Sequence, residues 1–129
     1  MEIKFRGMDA NGIMRYGRLS QDKKDSTAYY EEYSQRICWD DSNIPVKNIT
    51  LGQYVGFMDR SGKDIYDGDI IALRGVDDGQ DYYYKVYQSF TGTWMGCNEL
   101  YYDLRDNDFT KCEVIGNKFE NPELLEGNN

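Results

Sequence analysis

Residues 52–71 read GQYVGFMDRSGKDIYDGDII, and the way turns and strands alternate along them decides the fold. Four glycines, Gly52, Gly56, Gly62 and Gly68, stand within an alternating apolar pattern. Asp59-Arg60-Ser61-Gly62 and Asp67-Gly68 carry turn chemistry. Gly adopts positive φ without steric cost, and an Asp side chain accepts hydrogen bonds from the backbone just beyond it. The segment therefore reads as strands over 51–58, 63–66 and 70–73 joined by two tight turns. Gly52 and Gly56 inside the first of these mark a bulge or a close backbone approach.

Working outward, residues 2–8 alternate, with Ile3, Phe5 and Met8 on the inward side. Asp9-Ala10-Asn11-Gly12 is a turn, and 13–19 returns as the second strand of a hairpin. Residues 20–50 are less legible. Tyr30, Tyr33 and Ile37 sit at helical spacing, while Tyr29, Glu31 and Tyr33 fit a strand, and extended structure is preferred. Residues 40–43 read as a turn and Ile44-Pro45 as an extended entry into the next strand. Further on, 75–81 is an acidic loop, 82–90 a strand, 91–92 a turn and 93–95 the start of a return strand. Residues 103–108 read as a second acidic loop, 113–115 as a last strand, and Asn121-Pro122 as a terminal turn. Residues 1–126 form one β domain with no internal repeat, and 127–129 a disordered tail.

Composition agrees. Among 129 residues, 12 Tyr, 5 Phe, 2 Trp and 13 Gly point to a turn-rich, mainly β domain with little helix. The net charge of −8, from 23 acids and 15 bases, argues against direct nucleic-acid binding, which normally relies on Lys and Arg that release counterions. It argues equally against an anionic membrane surface, and no apolar run approaches the roughly 20 residues of a membrane helix. The start, MEIKFRGMD, lacks a signal peptide's apolar stretch, so a cytoplasmic location is expected. Three cysteines, Cys38, Cys97 and Cys112, have no CxxC spacing and read as free thiols.

The chain has no histidine, which removes Ser-His-Asp and Cys-His triads, His general bases and His-containing zinc sites. A carboxylate-pair hydrolase stays open, although no spacing places two acids on one cleft. The acidic loops fail the EF-hand pattern, since 103–108 lacks the sixth-position Gly and Gly79 is out of register. No phosphate-loop pattern occurs. Catalytic, cofactor and metal sites are therefore not assigned.

The Tyr82-Tyr83-Tyr84-Lys85-Val86-Tyr87 run is the most informative remaining feature. Alternation puts Tyr82, Tyr84 and Val86 on one face and Tyr83 and Tyr87 on the other. Two aromatic faces fit either a central strand buried on both sides or an interface with a partner chain. Tyr82, Tyr83, Tyr84 and Tyr87 are the candidate interface residues.

Gly52, Gln53, Tyr54, Gly56, Asp59, Gly62, Lys63, Ile65, Tyr66, Gly68, Asp69 and Ile70 resemble the YopX family of phage and prophage proteins, whose pattern runs approximately GQYTGLxDxxGKEIYEGDIV. The opening Glu2-Ile3-Lys4-Phe5-Arg6 with Asp9 is similar to the family's EIKFRxWD, and EVIGNKFENPELL at 113–125 to its EVIGNxYENPELL. Met8 stands for the usual Trp, Val55 for Thr and Phe57 for Leu. The resemblance implies a mainly β fold of short, strongly bent antiparallel sheets, barrel-like in outline, and a phage or prophage origin. It carries no catalytic residues, and the matched positions read as fold determinants. The expected function is a small acidic protein that acts by binding, without enzymatic activity or cofactor, and self-associates as a homo-oligomer. The alternative is an anti-host accessory protein that occupies a basic, nucleic-acid-binding surface of a host protein. A carboxylate-based hydrolase ranks last.

Overall fold

The computed structural model describes residues 4–19, 35–39, 42–75, 77–98 and 101–126. The chain divides into two compact units, residues 1–54 and 55–129. The division falls inside a strand, which is why no linker composition marks it.

The first unit holds β1 (Phe5–Met8), β2 (Met14–Leu19), β3 (Gln35–Trp39), β4 (Ser42–Val46), a 3-10 turn at Asn48–Thr50 and the first part of β5 (Gly52–Met58). Its strands pair antiparallel in the order β4-β3-β2-β1-β5. Asp9 makes the β1–β2 hairpin: its N–H donates to the Ile13 carbonyl at 3.0 Å, and its Oδ1 accepts from Asn11 N at 2.9 Å and Ile13 N at 3.0 Å. Gly12 follows at φ 77°, a backbone that a side chain disfavours. Ile37 and Val46 are buried beneath the sheet, and a methyl group at Gly7 would collide with Val46. Thr50 ties the unit's ends together, accepting from Met8 N at 2.8 Å and donating to the Lys47 carbonyl at 2.6 Å. Pro45 lies on β4, an edge strand, where a missing N–H breaks no ladder.

The second unit continues β5 and adds β6 (Asp64–Tyr66), β7 (Asp69–Arg74), β8 (Asp81–Gln88), β9 (Trp94–Cys97), β10 (Tyr101–Asp103), α1 (Asp106–Lys111), β11 (Glu113–Asn117) and α2 (Glu123–Glu126). Its sheet runs β10-β9-β8-β7-β11, all antiparallel, and β6 neighbours β5. Val55, Ile65, Ile71, Val86, Leu104, Phe109, Cys112 and Val114 form the core, with Phe57 stacked on Phe109 at 5.0 Å between ring centroids.

Asp59 repeats the chemistry of Asp9. Its N–H donates to the Lys63 carbonyl at 2.8 Å, and its Oδ1 accepts from Ser61 N and Lys63 N, both at 2.9 Å. Ser89 builds the same turn at 89–93, with its N–H donating to the Thr93 carbonyl at 2.8 Å and its Oγ accepting from Thr93 N at 3.2 Å. Asp59 then does more: its Oδ2 accepts the Val114 N–H at 2.9 Å, while Arg60 N donates to the Cys112 carbonyl at 3.0 Å. These bonds fasten the β5–β6 turn to the start of β11.

The mainly β reading holds, and the 52–71 segment folds as read, with β5, β6 and β7 joined by the two turns. The barrel-like outline does not: among the described residues the sheets are open, with β4, β10 and β11 at sheet edges. The expected loop at 103–108 is also corrected, because β10 runs to Asp103 and α1 begins at Asp106. Asp108 Oδ2 accepts the Arg105 N–H at 2.9 Å and closes the helix start, and Phe109 anchors it in the core. One apolar residue in DNDFTK is too little periodicity to announce a helix. Ser42 and Asn43 belong to β4 rather than to a turn, β8 ends at Gln88 with Phe90 fully exposed in the turn beyond, and Pro122 leads into α2. Phe5 and Met8 are both half-buried, but not on one inward side: alternation puts Phe5 on the face of Gly7 and Met8 on that of Arg6, which is buried more deeply, at 3% exposure. The readings of residues 20–34 and of the tail 127–129, and that of Ile3, lie outside the described residues.

Candidate interaction surface on the second sheet

β8 lies between β7 and β9, and its register sorts the tyrosines. Tyr84 pairs with Ile71, Tyr82 with Leu73 and Val86 with Gly96. Paired residues share a face of a sheet. Ile71 and Val86 are core residues, and Leu73 and Tyr84 pack against them, so Tyr82 and Tyr84 lie on the core side. Tyr83, Lys85 and Tyr87 take the opposite face, half-buried, with Ala72, Ile70 and Met95 as their cross-strand neighbours. The four candidate tyrosines are therefore divided two and two between the faces.

Local bonds hold these rings. The Tyr82 hydroxyl donates to Asp78 Oδ2, and Asp78 Oδ1 accepts from Gln80 N at 2.9 Å. The tyrosine donor, then the Gln80 N–H, hold the Asp78 carboxyl below its ordinary range. Both oxygens of the acid at the centre of the 75–81 loop thus serve the turn. The Tyr87 hydroxyl donates to Met95 Sδ at 3.7 Å, and Asn98 Nδ2 donates to the Tyr83 carbonyl at 3.4 Å.

Next to Ala72 an open pocket of about 230 Å³ is lined by Arg60, Ala72, Arg74, Asp81, Lys111 and Glu113. Ala72 pairs with Glu113 and Arg74 with Asp81, which places these four on the face of Tyr83 and Tyr87. Arg60 comes from the turn after β5, and Lys111 closes α1. Arg60 Nη2 meets Glu113 Oε2 at 2.7 Å, and Arg74 Nε meets Asp81 Oδ1 at 3.8 Å. All four side chains are exposed, so each pair contributes at most about 1 kcal/mol and opens readily. The pocket can meet charged groups of either sign, and it holds no nucleophile beside a base. Sequence reasoning missed it, because its residues come from five elements and share no local spacing.

The buried acids are structural. Burial pushes the Asp59 carboxyl up, but the N–H groups of Val114, Lys63 and Ser61 outweigh this and hold it below the usual value. In Asp9 the Ile13 N–H, then the Arg15 guanidinium at 2.8 Å, lower the carboxyl in the same way. Asp69 Oδ2 accepts the Tyr66 N–H at 2.8 Å from a buried position. Burial, with Asp59 nearby, pushes the Cys112 thiol up to about 12, which suppresses the thiolate a nucleophile needs. All three cysteines are free. Among the described residues no cluster of three or more Cys, Asp or Glu could hold a metal ion, and no helix is long and apolar enough to cross a membrane.

Asn117 shows why the closing block is structural. Its Oδ1 accepts from Phe119 N at 3.0 Å and Glu120 N at 2.9 Å, while Asn121 Oδ1 accepts from Asn117 N at 3.2 Å. A methyl group at Gly116 would strike the Asn121 side chain. No curated protein matches the chain. The family model described as YopX protein matches residues 4–126. With nearly its whole length matched, the chain belongs to the YopX family.

Proposed function

We propose that this protein is a phage- or prophage-derived cytoplasmic protein that acts by binding, without catalysis, and that self-associates through the outer face of β8. The observation that carries the reading is the placement of Tyr83 and Tyr87 on one face of β8, away from the core, beside Met95 and the charged pocket at Ala72. Tyr is enriched at interface centres because it offers a large apolar area at low entropic cost. A rim of exposed ion pairs that open cheaply suits the edge of such a contact. Light scattering and sedimentation over about 1–100 μM test it, since Kd values in that range mark weak but specific association. The wild type should populate a dimer or larger species, and Tyr83→Ser/Tyr87→Ser should be monomeric with an unchanged far-UV spectrum. A wild type that stays monomeric throughout refutes the reading.

A second reading is favoured by charge placement. Residues 55–129 carry 15 acids and 7 bases, so the whole net charge of −8 lies there. An acidic unit of this kind suits the basic, nucleic-acid-binding surface of a host protein. Capture from host lysate should then retain a nucleic-acid-binding protein that salt releases. Retention that salt does not weaken excludes it.

A further inference from the structure

We propose that the pocket at Ala72 binds a small phosphate monoester on Arg60, Arg74 and Lys111. The charge count singles this pocket out. Residues 55–129 carry 15 acids and 7 bases, yet three of those bases line this one opening against two of the acids, Asp81 and Glu113. All six lining residues are described, and three cations less two acids leave them at +1 in a unit whose net charge is −8. No local pattern gathers the cations, since they stand far apart in the chain. Arg60 is held by its backbone N–H on the Cys112 carbonyl, Arg74 by the β7–β8 register, and Lys111 by α1, which Phe109 anchors in the core.

These cations are open to a ligand. Lys111 is exposed, and its side chain forms no ion pair among the described residues. Arg74 Nε stands 3.8 Å from Asp81 Oδ1, beyond hydrogen-bond range, so its guanidinium N–H groups are unclaimed. Arg60 gives Nη2 to Glu113 at 2.7 Å and keeps its other guanidinium donors. Ala72, half-buried, forms a floor whose short side chain leaves about 230 Å³ above it. A water's share of liquid volume is about 30 Å³, so the opening takes a phosphoryl group and a short substituent.

The pocket's own acids decide the ligand class. A free monocarboxylate would only exchange with Glu113 and Asp81, carboxylates that the fold already tethers beside the same cations at high effective concentration. A phosphate monoester carries a charge of about −1.5 to −2 at pH 7 and three strong acceptor oxygens, which suit guanidinium forks and an ammonium group. It displaces the two acids because their ion pairs are exposed and open readily. The pocket lies beside the tyrosine face, but this inference does not rest on self-association there and stands or falls separately from it.

Amide NMR of the isotope-labelled full chain, titrated with glycerol phosphate at about 100 mM salt, tests it. At that salt a Debye length of about 10 Å screens the unit's other acids but not contacts inside the pocket. Saturable shifts are expected at the amides of Ala72, Arg74 and Glu113, with Kd about 1 mM for three charge-assisted contacts in an open site. Arg74→Gln and Lys111→Gln should each weaken binding at least about fivefold, and Glu113→Gln should tighten it about threefold by removing a competitor. Lys118→Gln, beyond the far end of β11, should change nothing. Absence of saturable shifts up to about 20 mM glycerol phosphate overturns the proposal. So does binding that Arg74→Gln and Lys111→Gln leave intact. Acetate binding as tightly as the phosphate would overturn it too, since a single negative charge would then suffice.

Discussion

Asp59→Ala should be among the most damaging single polar substitutions, and the reason lies in its second oxygen. Oδ1 accepts from Ser61 N and Lys63 N, whose residues are exposed; their amides would turn to water once the carboxylate is gone. Oδ2 accepts from Val114 N at 2.9 Å in a buried setting, where no water replaces it. Two turn bonds at roughly 0.5–1 kcal/mol each and one stranded buried amide at about 1–3 kcal/mol sum to roughly 3 kcal/mol. A domain of this size has a stability of about 5–15 kcal/mol, so the loss is large. With a urea slope of about 2 kcal/mol/M, the unfolding midpoint should fall by about 1.5 M. Asp59→Asn keeps one of the two acceptors and should fall between wild type and Ala. Asp9→Ala is the control. It removes the same turn acceptor, but its second oxygen serves the partly exposed Arg15 rather than a buried backbone donor. In Asp59→Ala the Val114 amide should also lose hydrogen-exchange protection. A midpoint shift for Asp59→Ala no larger than that for Asp9→Ala would sink the argument.

The same carboxylate sets an acid limit. Its folded pKa lies below that of an ordinary aspartate, so its contribution is fully present above the ordinary value and is lost as pH falls through the lower folded value. The urea midpoint of the wild type should therefore drop as pH falls below about 4, and that of Asp59→Ala should drop less; equal slopes would contradict the assignment. Phe109→Ala empties the fully buried end of the Phe57 stack and should cost about 3–5 kcal/mol, measured by the same unfolding curves; a loss under about 1 kcal/mol would show that the core does not depend on α1. Gly17→Ala pushes a methyl group into the Cys38 backbone carbonyl, which cannot rotate away. A loss of about 1–3 kcal/mol is expected, and a neutral result would mean the two strands separate there. Cys112, buried with its thiol at about 12, should be the last cysteine alkylated at pH 8, reacting only on unfolding; alkylation as fast as at Cys97, read by mass spectrometry, would refute its burial.

Much of this architecture is local and could be read from the chain. An Asp followed three residues later by Gly closes a hairpin through bonds within five residues, so Asp9-to-Gly12 and Asp59-to-Gly62 announce themselves. Alternation along β5 and β8 likewise needs no partner to be legible. α1 was hidden because its stability comes from Phe109 entering a core assembled by distant strands, and not from its own composition. The sheets' open ends were hidden too, since closure depends on which strands find one another. The same holds for surfaces. Net charge, a property of the chain, cannot reveal that Arg60, Arg74 and Lys111 ring Ala72. The turns of this protein belong to its sequence, because their bonds span a few residues. Its faces belong to its tertiary structure, because cross-strand register alone brings those side chains together.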